Sequence, residues 1–130
     1  MKFVVDTSVI IAVLLNEASK KNIIEETKGA ELVAPASLHW EISNAFSAMF
    51  KRNRITLEEA NEALKYYGQI PLRFYDIPLE KSLEFASEYD LYAYDAFFLV
   101  CAKNLKSPLL SLDQGLIQKA KEAGVRTIGV

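Results

Sequence analysis

"KFVVDTSVIIAVLLN", residues 2–16, places a carboxylate and two hydroxyls between two segments that both belong in a core. Phe3-Val4-Val5 is a short apolar run without polar alternation, the pattern of a parallel strand buried on both faces. The second run, Val9 to Leu15, follows Asp6, Thr7 and Ser8, and all three residue types cap helices well. The stretch therefore reads as a strand over residues 3–5, then a helix over residues 8–16, with Asp6 at the junction.

The same alternation continues along the chain. A more polar helix is expected at residues 17–28 and a strand at 32–34, ended by Pro35. Residues 36–52 form a helix with Leu38, Ile42, Ala45, Phe46 and Met49 on one stripe. Thr56 and Glu59 have the spacing of a capping box, opening a helix that runs to about Gly68. Further strands are expected at residues 73–77, 108–112 and 125–130. Helices are expected at 79–88, 93–103 and 114–123, the last stopped by Gly124. Strands separated by helices require crossover connections and so a mostly parallel sheet. The expectation is a three-layer α/β/α sandwich forming one domain over residues 1–130.

Bulk properties bound the alternatives. The chain has 130 residues, 51% of them hydrophobic, enough to bury a real core. Cys101 is the only cysteine, which rules out an internal disulfide and a cysteine-paired metal site and suggests a cytoplasmic protein. The apolar N-terminal run does not read as a signal peptide, because Asp6 interrupts it and no small-residue cleavage site follows. It also falls short of the ~18 residues needed to span a bilayer. The net charge is −2, which does not by itself advertise a nucleic-acid partner.

Four acids stand out. In parallel sheets ligands bind beyond the carboxyl ends of the strands. Asp6 and Asp113, the latter in "LLSLD", each follow a strand. Asp95 lies in the first turn of the apolar helix "AYDAFFLVCAK", and Glu41 in the second turn of its helix with Asn44 one turn later. Crossover helices begin at that same edge. Taken singly, each acid has an ordinary reading: Asp6 and Asp113 as helix caps, Asp95 as a helix-dipole partner, Glu41 as a surface residue at the stripe edge. Together, four carboxylates converging on one edge repel, and their pKa values rise unless a cation sits among them. Oxygen-only donors suit Mg²⁺ or Mn²⁺, one or two ions, rather than zinc. His39, the one histidine, reads as an ordinary helix-surface residue.

The ordered set "FVVDTSVIIAVL", "EISNAF", "YDAFFLVCAK" and "LLSLD" resembles the PIN domain, and within it the VapC-type ribonuclease toxins of prokaryotic toxin–antitoxin pairs. The resemblance runs the length of the chain. It implies a metal-dependent endoribonuclease in which Asp6, Glu41, Asp95 and Asp113 form the acidic quartet. In that family, Thr7 or Ser8, Asn44 and Ser111 match polar positions that support the acids. The resemblance also implies cleavage leaving a 5′-phosphate and a 3′-hydroxyl, a homodimer, and a cognate antitoxin covering the site. The readings weighed against it are a catalytically silent or RNA-processing PIN subunit and a DNA-directed nuclease. A phosphatase of the haloacid-dehalogenase type would want a second aspartate at position 8, where Ser8 stands.

Charge distribution adds one candidate surface. Setting the four acids aside, the 17 acidic residues fall to 13 against 15 basic ones. Lys51, Arg52 and Arg54, in "KRNR", are the densest basic cluster and a candidate RNA contact. The aromatic stretch "YYGQIPLRFY", residues 66–75, suits either core packing or a partner surface.

Overall fold

The computed structural model describes all 130 residues. Five strands and seven helices alternate: β1 (Lys2–Val5), α1 (Thr7–Leu14), α2 (Lys20–Thr27), β2 (Glu31–Pro35), α3 (Leu38–Lys51), α4 (Leu57–Tyr67), β3 (Leu72–Tyr75), α5 (Leu79–Tyr89), α6 (Ala93–Leu105), β4 (Leu109–Leu110), α7 (Gln114–Glu122) and β5 (Thr127–Ile128). The strands form one sheet in the order β3-β2-β1-β4-β5, and every pairing is parallel. The expected α/β/α sandwich is therefore correct, with a sheet that is wholly rather than mostly parallel.

The strand order positions the site. From β1 the chain winds outward through β2 to β3, then returns to the other side of β1 for β4 and β5. The direction of winding reverses between β1 and β4, the switch point where open α/β sheets leave a crevice beyond their carboxyl ends. Asp6 directly follows β1 there, and Ser111 directly follows β4.

The core explains why β1 holds its place. Val4 and Val5 are fully buried, as are Leu109 and Leu110 beside them, the two-face burial that apolar parallel strands require. Helix α6 lies along β1, β2 and β4 and packs against α5, while α1 gathers α2, α3 and α4. Cys101, on α6, is buried in this core, and burial pushes its thiol up to about 12. It is a packing residue with an inert thiol.

Three helix starts carry the expected chemistry. Thr56 Oγ1 accepts from Glu59 N at 3.1 Å, and Glu59 Oε1 accepts from Thr56 N at 3.0 Å, completing the capping box of α4. Asp6 caps α1 and Asp113 caps α7, each accepting a backbone N–H at 3.2 Å.

Strand ends depart most from the sequence reading. β4 covers only two of residues 108–112. Pro108 has no N–H, and the amides of Leu112 and Asp113 are taken by side-chain hydroxyls rather than by a neighbouring strand. β5 starts later than residue 125 because Val125 N donates to Ala120 O and closes the end of α7. Most of the aromatic stretch packs inward: Tyr67, Phe74 and Tyr75 are partly buried against the core, while Tyr66 is exposed.

Candidate active site

Asp6 is the anchor. It is only 3% exposed, yet its carboxylate has no cationic partner. Burying an unpaired carboxylate is expensive unless hydrogen bonds meet it, and here three do. Ser8 Oγ donates to Oδ1 at 2.6 Å, Val9 N donates to Oδ1 at 3.2 Å, and Ser111 Oγ donates to Oδ2 at 2.6 Å.

The two serines are themselves held in orientation. Leu112 N donates to Ser8 Oγ at 2.9 Å, and Asp113 N donates to Ser111 Oγ at 3.0 Å. A hydroxyl that accepts a backbone N–H has its one proton free to point elsewhere. In both serines that proton points at Asp6. The β4–α7 turn thus fixes both oxygens of a carboxylate that lies more than a hundred residues earlier in sequence. A carboxylate oxygen has about two lone-pair positions, so Oδ1 is filled and Oδ2 keeps one acceptor position. The cap of α1 is Asp6 itself; Ser8 serves the carboxylate instead.

Electrostatics tie the other acids to this anchor. Burial raises Asp6 above the ordinary carboxylate value, the three hydrogen bonds oppose that rise, and the Asp113 charge adds to it. Burial, with Asp95 beside it, pushes Glu41 up to about 7. Ser37, whose Oγ lies 3.4 Å from Glu41 Oε2, opposes that rise. Asp95 is raised by burial and by Asp113. Asp6 and Asp95 thus each feel the Asp113 charge, and Glu41 feels Asp95 and, more weakly, Asp6. Thr7 Oγ1 is buried and makes no hydrogen bond of ordinary geometry, but it stands near enough to Glu41 to oppose its rise as well, favouring the charged carboxylate.

As placed, no three His, Cys, Asp or Glu side chains form a group that could hold a metal ion. The acids share a cleft without closing on one point. Asp6 is locked, whereas Glu41 and Asp95 are half-buried and Asp113 is exposed, so the latter three have rotamer freedom. The donor chemistry nevertheless fits a hard divalent cation. All four donors are carboxylates, no lysine or arginine pairs with any of them, and an orphaned buried hydroxyl sits among them.

The remaining candidates fall elsewhere. Asn44 is exposed one turn beyond Glu41 and makes no side-chain hydrogen bond to the acids. Lys51, Arg52 and Arg54 are exposed at the far end of α3. At 1.5 Å per residue, Lys51 lies about 15 Å along the axis from Glu41. His39 is exposed, as expected of a helix-surface residue, but it is engaged. Tyr67 Oη is 2.9 Å from its Nδ1, and the Phe74 ring lies 4.2 Å away. Ser37 escaped the sequence reading; its one signal is its place directly before α3, four residues ahead of Glu41.

A family model of the PIN domain matches residues 3–122. The chain belongs to the PIN domain family. PIN domains are in general nucleases, hydrolysing phosphodiester bonds with the help of divalent metal ions. No curated protein matches the sequence. Among solved structures, PAE2754 from Pyrobaculum aerophilum superposes with a TM-score of 0.74 at 22% identity, covering 98% of this chain and 83% of that one. VapBC2 from Rickettsia felis, solved bound to a DNA fragment from its promoter, gives 0.69 at 13% identity and covers 98% of both chains. FitAcB from Neisseria gonorrhoeae gives 0.56 at 14% identity, covering 98% and 96%. At these identities the likeness is one of fold. No helix of this PIN domain is long and apolar enough to cross a membrane.

Proposed function

We propose that this PIN domain is a Mg²⁺- or Mn²⁺-dependent endoribonuclease, the toxin of a cytoplasmic toxin–antitoxin pair. The observation that carries the reading is the buried Asp6 carboxylate, held by two oriented serines at the switch point of the sheet, with three further acids facing it. A fold does not need such an arrangement for stability, since it concentrates like charge. A hydrolase that holds a cation does.

When bound, a divalent ion supplies positive charge for the scissile phosphate and an acidified water to attack it. Asp6, with one acceptor position left on Oδ2, and Asp95 are the side chains that would hold it, with Glu41 and Asp113 completing the shell directly or through water. The protein's own residues do the orienting. Ser8 and Ser111 keep the Asp6 carboxylate from rotating, so its free acceptor position is fixed in direction. Thr7 Oγ1, without a partner of its own, is placed to receive or donate a hydrogen bond beside Glu41. The α1 N-terminus adds fixed positive potential at the same place. Hydrolysis leaves a 5′-phosphate and a 3′-hydroxyl.

RNA as the substrate, rather than DNA, rests on the resemblance to VapC-type toxins. The fold relatives VapBC2 and FitAcB support an antitoxin as partner. An apolar groove of about 270 Å³ beside the acids, lined by Ser37, Trp40, Leu79, Tyr94 and Phe97, supports protein contact as well. Trp40 and Leu79, which line it, are 65% and 70% exposed, and exposed apolar side chains around a groove suit a protein partner. A homodimer is the simplest cover.

The test is cleavage of single-stranded RNA by the intact chain with Mg²⁺, with Mn²⁺ and with chelator, alongside Asp6→Asn and Asp95→Asn. Activity in the wild type that is lost with chelator and in both variants supports the reading. Equal cleavage in every arm sinks it. Light scattering on the same protein reports its oligomeric state, and a monomer at high concentration removes the homodimer.

A further inference from the structure

At the opposite end of β4 from the acids lies a cavity of about 490 Å³ lined by Lys103, Lys106, Arg126, Ser107 and Gly124, with no carboxylate among its lining residues. It sits between the C-termini of α6 and α7. The ordinary role of cations there is to satisfy the last carbonyls and the negative end of the helix dipole. Lys103 does this: its Nζ donates to Ala123 O at 2.6 Å. Lys106 and Arg126 do not, since neither side chain makes an ion pair or a hydrogen bond. Two helix ends contribute about −0.5 charge each. Three cations therefore leave the cavity with roughly two uncompensated positive charges.

The backbone keeps this charge accessible. Lys106 ends α6 in the left-handed conformation at φ 50°. Gly124 follows α7 at φ 75°, and a Cβ added there would lie 3.5 Å from Lys103 Nζ. The glycine serves the left-handed turn and leaves the ammonium unshielded on that side. Lysine point charges around an arginine fork match the tetrahedral oxygens of a phosphate.

We infer that this cavity is a phosphate-binding site, distinct from the acid cleft, that grips the backbone of the nucleic-acid strand away from the point of cleavage. Phosphate recognition follows from the charges alone; the strand as its source rests on the nuclease reading. Ser107 borders the cavity and Ser111 borders the acids. The four residue steps from one to the other, in extended chain, span about 13 Å. Leu109 and Leu110 between them are fully buried, so a strand joining the two sites runs around the sheet over the surface, and at about 3.4 Å per nucleotide it spans more than about four nucleotides.

The test uses the full chain in chelator, so that binding is read without cleavage. Affinity for a short single-stranded RNA is measured across a salt series for wild type, for K106Q/R126Q and for K28Q/K65Q. The last removes the same charge from two surface lysines already paired with Glu25 and Glu62. Inorganic phosphate and a 5′-mononucleotide are titrated in parallel, and melting temperatures check that all three proteins are folded. The expected result is RNA affinity about tenfold weaker in K106Q/R126Q, with a salt slope shallower by about 1.4 and the control unchanged. If K106Q/R126Q loses only phosphate and mononucleotide binding, the site stands and its ligand is a free anion. Wild-type binding of phosphate without RNA keeps the phosphate site and overturns the nucleic-acid strand as its ligand. Identical binding by wild type and K106Q/R126Q in every arm overturns the proposal.

Discussion

Asp6 and Asp113 do the same local job. Each ends the segment after one of two neighbouring strands, caps the helix that follows, and accepts a backbone N–H at 3.2 Å. Their surroundings differ. Asp6 is buried and takes two hydroxyl donors; Asp113 is exposed and takes none. Capping therefore cannot explain what is special about the first aspartate. An N-cap needs one carboxylate oxygen, and a solvated one serves well, as Asp113 demonstrates. The extra donors on Asp6 fix the orientation of the whole carboxylate, which a helix start does not require and a metal ligand does.

The largest expected effect tests that contrast directly. Asp6→Asn removes the locked carboxylate and should lower kcat/KM for RNA cleavage by about a thousandfold or more, the loss of several kcal/mol of charge stabilisation. Asp113→Asn, at an exposed and rotatable position, should cost about ten- to a hundredfold. Melting temperatures should stay close together. An asparagine at position 6 can still accept from Val9 and Ser8 through its oxygen and donate to Ser111 through its amide, while the cost of the buried charge disappears. If the two variants lose activity equally, the distinction between locked and mobile acids fails.

The next effect isolates the serines. Ser8→Ala and Ser111→Ala each delete one donor to Asp6 and strand one backbone N–H, of Leu112 or Asp113. Orienting groups of this kind typically contribute ten- to a hundredfold in metal affinity or activity. Each variant should therefore need more Mn²⁺ for half-maximal cleavage, with less change in the rate at saturating metal. Ser47→Ala offers the comparison, since that hydroxyl bonds only a carbonyl of its own helix. A rate loss that saturating Mn²⁺ leaves untouched would mean that the serines act on something other than metal binding.

The local half of this design is legible in the sequence, and the long-range half is not. The apolar run before Asp6, the cap residues after it and the alternation of strand and helix are local signals. They suffice for the sandwich and for the convergence of Asp6, Glu41, Asp95 and Asp113 at one edge. The bonds from Leu112 and Asp113 to the two serines close over the switch point. Whether a strand continues through Ser111 depends on which acceptor takes the amide of Leu112, and that acceptor, Ser8, lies 104 residues away. The same amide explains why β4 stops early and why Ser8 serves the carboxylate rather than the helix. Ser37 is hidden for a related reason: its bond to Glu41 is local, but what raises Glu41, burial first and then the Asp95 charge, comes from tertiary packing. The basic cluster at Lys51, Arg52 and Arg54 was visible because it is contiguous. The cations at Lys103, Lys106 and Arg126 were not, because α7 separates them in sequence.

The smallest effect concerns pH and separates the buried acids from the exposed one. In the metal-free protein Asp6, Glu41 and Asp95 have folded pKa values raised above their unfolded values, Glu41 to about 7. Between the unfolded value of 4.5 for Glu41 and about 7, the folded protein then holds protons that the unfolded chain has released. Stability must fall as pH rises through that window and level off above it. Glu41 is half-buried, and solvent screening limits its share to about 1–2 kcal/mol, a few degrees in melting temperature for a domain of this size. In chelator, the melting temperature should be higher at pH 5 than at pH 7.5 by that amount. Glu41→Gln should flatten most of the slope. Asp113→Asn should flatten it less, because Asp113 acts on Asp6 and Asp95 only through its charge, after burial has done more. Saturating Mn²⁺ should reverse the trend, since a cation among ionised carboxylates stabilises the fold where they are charged. A metal-free melting temperature that rises from pH 5 to pH 7.5 would show that the acids do not carry the strain their burial implies, and the case for a cation among them would lose its electrostatic support.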